Sequence, residues 1–137
     1  MNDAVVKTAI LKVKQSNIIW LGISIIMIIA GLPLIFGAGY GIGMIILGIW
    51  NLVQVSKTFK NIKDFELEPS LMVFYYKDRN YVLQLILNFV FGGMIGVIAT
   101  VFEIFAQKYI LDHADELVNY RMMADGMTEY YNDDTFY

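Results

Sequence analysis

With 137 residues the chain has room for one domain, and 58% of them are hydrophobic against 17% charged, more apolar surface than a soluble domain of this length can cover with water-facing side chains. The absence of cysteine excludes disulfides, thiolate nucleophiles and thiolate metal sites, and a single histidine excludes a poly-histidine metal cluster within one chain. The net charge of −3 conceals a separation, because eight of the ten Lys and Arg precede residue 81 while eight of the thirteen acidic residues fall from Glu103 onward.

Residues 1–16 carry Lys7, Lys12 and Lys14 with Val6, Ala9, Ile10 and Val13 at helical spacing, which predicts a short amphipathic helix at a membrane surface. The competing reading is the basic region of a secretory signal. The apolar run that follows is long for a signal core and leads straight into a second one, so an uncleaved first span is expected.

Residues 18–36 contain no charge and read as the first transmembrane helix, with Pro33 near its far end where a kink costs little. The glycines of Gly37-Ala-Gly-Tyr-Gly-Ile-Gly43 predict a tight turn between antiparallel helices, with Tyr40 at the interface. A phosphate-binding loop fails on context, since no Gly-Lys-Ser/Thr follows and no strand precedes. Residues 41–56 return as a second span. Trp20 and Trp50 then fall at one membrane face as interfacial anchors, joined by Lys57, Lys60 and Lys63. Phe59, Ile62 and Phe65 recur among those lysines, which predicts that the helix leaves the bilayer and lies along its surface.

The connector 66–80 breaks at Pro69-Ser70 and at Asp78-Arg79-Asn80. Between them Leu71 to Tyr76 are too few to cross a membrane; an interfacial segment is expected, with a docking strip for a partner protein as the functional alternative.

The third span is expected at 81–104. The 21 residues from Val82 to Phe102 lack charge and reach roughly 31 Å against a hydrocarbon core of roughly 30 Å. Gln84, Asn88, Gly92, Gly96 and Thr100 follow at four-residue spacing, with Glu103 and Gln107 on the same sector. Two functions fit that stripe: a packing seam, since small residues and amides join helices in lipid, or a wet pathway lining a pore with Glu103 at its mouth.

A straight third span puts residues 1–17 and 56–80 on one side and the tail on the other. The positive-inside rule then places the N-terminus in the cytoplasm and the C-terminus outside. The rival is a third segment that bends at Gly92-Gly93 and re-enters, returning the tail to the cytoplasm; such backbone needs protein or water around it. The tail 112–137 is acidic and aromatic, begins as a helix extension, and is expected to be mobile after Gly126. Asp112, His113, Asp115 and Glu116 invite a metal reading, but on a helix His113 diverges from the carboxylates and a solvated acidic face is expected.

No constellation of nucleophile, base and carboxylate emerges, so an enzyme is not expected. Neither is a cofactor, a metal or a nucleic acid, since lipid headgroups account for basic residues flanking spans. The Ile-rich, Lys-over-Arg composition is associated with bacteria of AT-rich genome. The expected architecture is an all-α integral membrane protein with three transmembrane helices, a tight hairpin plus a third span, and amphipathic interfacial segments, in which residues 1–111 form the membrane domain. The expected function is a non-enzymatic, multi-pass component of the cell membrane that assembles through the third helix with itself or with a membrane partner. The alternative is an oligomeric pore, channel or small transporter lined by the polar stripe.

Overall fold

In the computed structural model, which describes residues 2–37 and 39–120, every regular element is a helix. These are α1 (Asn2–Leu34), α2 (Tyr40–Leu67), α3 (Ser70–Lys77), α4 (Val82–Asp112) and a last helix, α5, whose described part is 114–120. The tail from 121 onward, including the stretch after Gly126, lies outside the described residues. Three helices, α1, α2 and α4, are long and apolar enough to cross a membrane.

Backbone chemistry sets where these helices stop. Gly39, at φ 73°, turns the chain between α1 and α2, a conformation that glycine adopts without steric cost. Glu68 precedes Pro69 and leaves the helical region at φ −137°, ψ 87°, ending α2. Asn80 opens α4 by accepting a hydrogen bond from the Val82 amide on its Oδ1 at 2.9 Å.

The antiparallel α1 and α2 meet through glycine. A Cβ on Gly41 would sit 2.3 Å from the Gly31 carbonyl oxygen, and one on Gly48 would sit 3.0 Å from the Ser24 carbonyl oxygen, so the backbones touch directly as small residues allow in lipid. At about 1.5 Å per residue α1 reaches roughly 50 Å and α2 roughly 42 Å, well beyond a hydrocarbon core. Their excess lengths form a second layer, a helical base.

That base corrects three expectations. Residues 1–16 are not a separate surface helix, since the first part of α1 runs unbroken into the apolar segment and buries Val6, Ala9, Ile10 and Val13. Neither does α2 turn along a surface, because Ile62 and Phe65 join the same core. The connector helix α3 is not wholly surface either: Met72, Val73 and Tyr76 are buried beside Ile110 and Leu117, while Leu71 and Phe74 stay exposed. In each case much of the apolar stripe finds another helix, with Phe59, Leu71 and Phe74 left exposed, and burial against protein removes apolar area from water as burial in a bilayer would.

A fourth correction concerns the third span. Inside α4, Gly93 stands at φ 57°, ψ −152°, and the helix breaks there. The break reverses the chain. A Cβ on Gly96 would lie 2.8 Å from the Asn88 Cβ, whereas residues eight apart on a straight helix are separated by about 12 Å. Gln84 likewise lies within 3.4 Å of Glu103. The two arms, 82–92 and 94–112, therefore run antiparallel, and the hairpin they form has its tip against Met27, Tyr40 and Gly43. The described chain consequently ends at the end of the bundle where it began: the Tyr120 hydroxyl lies 3.5 Å from Asp3 Oδ1. The described part of the expected tail, residues 112–120, thus lies at the end of the bundle that holds Asp3, where a straight third span would carry it to the other end.

Candidate functional site

Where the α4 hairpin opens toward the base, polar side chains converge from every long helix. Asn17 and Trp20 come from α1, Asn51, Gln54 and Thr58 from α2, Gln84 and Glu103 from the two arms, and Arg79 and Asn80 from the loop before α4. They line a cavity of about 240 Å³, ample for several waters when one needs roughly 10–15 Å³.

Glu103 is the hub, and its residue is only 7% exposed. Arg79 Nη1 donates to its Oε1 at 2.6 Å, the Tyr81 hydroxyl donates to the same oxygen at 3.2 Å, and Gln84 Nε2 approaches Oε2 at 3.4 Å. The buried indole N–H of Trp20 faces the same carboxylate without closing a hydrogen bond of ordinary geometry. Arg79 in turn lies over the Tyr75 ring at 4.6 Å from its centroid, with the Tyr76 and Tyr81 rings at 5.9 Å, an arrangement suited to the planar, weakly hydrated guanidinium. Burial is the largest single influence on Arg79 and opposes its charge, but the Glu103 carboxylate together with Tyr81 and Tyr75 outweighs it, and the net direction of the Arg79 pKa is upward. Burial, reinforced by the Glu103 charge, also pushes the Tyr76 and Tyr81 phenols up. Tyr81 is thus a hydrogen-bond donor at any physiological pH.

Backbone ties hold this cluster in place. Gln107 Nε2 donates to the Tyr76 carbonyl at 2.7 Å and to the Arg79 carbonyl at 3.0 Å, satisfying acceptors that the end of α3 leaves open. Deeper in the hairpin, Asn51 Nδ2 donates to Asn88 Oδ1 at 3.2 Å and Asn88 Nδ2 to the Gln84 carbonyl at 2.8 Å. Of this amide pair Asn51 lines the cavity, with Leu47 and Leu87 also in its wall.

The stripe predicted from the sequence is thus folded onto itself. Asn88 and Thr100 are fully buried, Gly96 packs on Asn88 across the hairpin, and Gly92 meets the Met27 side chain. Gln84 and Glu103 reach the chamber; Gly92, Gly96 and Thr100 are taken up by the chain's own packing. Trp20 does not stand at a lipid interface, being 4% exposed, whereas Trp50 is 64% exposed at the chamber rim. Lys57 and Lys60 are exposed on α2 below it. His113 stacks on Tyr109 with ring centroids 4.3 Å apart, and among the described residues no three His, Asp or Glu side chains group closely enough to hold a metal ion.

Four polar chamber residues were not singled out by sequence, Asn17, Asn51, Gln54 and Thr58, and Arg79 and Asn80 were read only as a break in the chain. A signal was present, because Asn51 and Gln54 are the amides of the second apolar run and a buried amide needs a partner on another helix.

The fold and site define a class: among the described residues, an all-helical chain with three helical segments long and apolar enough to cross a membrane, the third broken at Gly93, and a partly open cavity beside a buried ion pair. Comparison with protein-family models, with curated proteins and with solved structures finds no match to the chain.

Proposed function

We propose that the chain is a non-enzymatic integral membrane protein in which α1 and α2 cross the bilayer, the α4 hairpin re-enters it, and the chamber is a wet half-channel for a small polar solute or ion. The first arm, at roughly 16 Å, is half the hydrocarbon thickness, which supports re-entry in place of crossing. Nine of the ten Lys and Arg, namely three in α1, three in α2, Lys77, Arg79 and Lys108, gather at the base end, and the glycine turn has none. That supports a cytoplasmic base with both Asn2 and Tyr120 inside.

The observation that carries the reading is the chamber itself. Its amides, guanidinium and carboxylate lie behind an outer belt of exposed Ile25, Ile29, Ile46, Ile49, Ile86 and Ile98. Ionisable groups at such depth are costly, and irregular backbone is tolerated there when it lines protein or water. Assembly through Gly92, Gly96 and Thr100 is less favoured, because Gly96 and Thr100 are buried within the chain and Gly92 is partly covered by Met27.

The absence of native cysteine allows a direct test. Gln54→Cys and Gln84→Cys, reconstituted in liposomes, should react with a charged, membrane-impermeant thiol reagent added on the base side and stay unreactive from the other. Failure to react from either side would mean a dry chamber and would sink the half-channel. Solute or ion flux in the same liposomes, altered by Glu103→Gln, then distinguishes a conducting chamber from one that only binds.

A further inference from the structure

Ser16 departs from the behaviour of the other helix hydroxyls. Thr8, Ser24, Ser56, Thr58 and Thr100 each donate to the carbonyl four residues before them, the local way a hydroxyl in a helix is satisfied. Ser16 makes no such bond; its Oγ is buried without a partner and the residue is 4% exposed. An unmet buried hydroxyl costs about 1–3 kcal/mol in most settings, so something polar is expected to reach it.

The groove whose wall includes Ser16 is separate from the chamber. It runs between α1 and the second arm of α4, has a volume of about 390 Å³, and includes Lys12, Phe102, Phe105, Lys108 and Asp112 in its wall. Its two ends differ in character. Lys12, whose Nζ stands 5.1 Å from the Tyr109 ring centroid, and Lys108 mark one end; neither forms an ion pair among the described residues. Phe102 and Phe105, 49% and 62% exposed, mark the other, about 9 Å away along the helix for the six residues from Phe102 to Lys108. The groove is therefore amphiphilic along its length, cationic at the base and aromatic toward the apolar belt. Asp112 offsets one lysine, leaving a net charge of about one positive unit.

We infer that this groove binds one anionic phospholipid, its phosphate held by Lys12, Lys108 and the Ser16 hydroxyl and its acyl chains laid along Phe102 and Phe105. The inference rests on the membrane reading but not on the chamber's being wet. Ser16 Oγ, closed to solvent in the empty groove, becomes a donor to a phosphate oxygen once its side chain rotates about χ1, and the lysines supply the charge that separates an anionic headgroup from a zwitterionic one. Basic pockets between helices at a cytoplasmic face suit this ligand chemistry. The single net positive charge favours a headgroup of one negative charge.

The test is native mass spectrometry of the full chain in detergent, titrated with phosphatidylglycerol, phosphatidylcholine or inorganic phosphate. One phosphatidylglycerol per chain should be retained at least tenfold more tightly than phosphatidylcholine. Lys12→Gln with Lys108→Gln should weaken it by on the order of 20-fold, and Ser16→Ala several-fold. Lys63→Gln with Lys77→Gln, which removes equal charge outside the groove, should change it less than threefold. Equal losses in the two lysine pairs, or no preference over phosphatidylcholine, would overturn the site. Displacement of the lipid by inorganic phosphate at equal concentration would also overturn it, by reassigning the groove to a free anion. Chamber labelling at Gln84→Cys reports on the half-channel alone, so the two readings fail separately.

Discussion

At the scale of single residues, the molecule turns on Arg79 and Glu103. Their side chains are 24% and 9% exposed, and a pair so enclosed is asymmetric: removing one partner strands the other charge, while removing both need cost little. Arg79→Met should lower stability by about 3 kcal/mol, the low end of the usual range because the guanidinium keeps some solvent. Arg79→Met combined with Glu103→Leu should recover most of that loss. Thermal melts in one detergent across the double-mutant cycle measure both, and additive losses would mean that the pair does not act as a unit. Glu103→Gln should be milder than Arg79→Met, because an amide still accepts from Arg79 and Tyr81.

At the scale of elements, glycine decides what α4 is. Gly93 occupies a region of backbone space that side chains enter only at a cost, yet a Cβ there meets nothing within 4 Å. Gly93→Ala should therefore destabilise through strain alone, by about 1–3 kcal/mol. Gly96→Ala should destabilise for a different reason, since its Cβ would strike Asn88 and push the arms apart. Gly22→Ala, where a Cβ meets open space, is the neutral comparison. Melting temperatures that rank Gly22→Ala with the other two would refute this account of the hairpin.

The hairpin was partly legible beforehand. The nearest charges flanking the apolar run, Arg79 and Glu103, have opposite sign, and Gly92-Gly93 lies near the middle between them. Such a run meets itself if it folds back there. A four-residue stripe, however, looks the same on a straight helix and on two arms packed together, so periodicity could identify the buried face without identifying what buries it. The apolar faces of residues 1–16 and 71–76 misled in a related way, because lipid and protein select the same pattern of side chains.

At the scale of the whole molecule, the fold separates an apolar layer, whose helices are long enough to cross a membrane, from a base that resembles the core of a water-soluble bundle. Single cysteines at Asp3, Lys57 and Glu116 should label from one side of an oriented liposome, and a cysteine at Gly39 from the other. Labelling of Glu116→Cys from the side of Gly39→Cys would restore a straight third crossing. The glycine turn carries another consequence, one for biosynthesis. If α1 and α2 alone cross, the connecting stretch carried over the bilayer between residues 2 and 120 is Gly37 to Gly43, seven residues without a charge. Nothing long or hydrophilic has to be pulled through during insertion. The elements that receive the α4 tip, Met27 on α1 and Tyr40 on α2, are also synthesised before it. The order of translation therefore delivers a finished two-helix wall before the hairpin that needs protein to shelter its broken backbone.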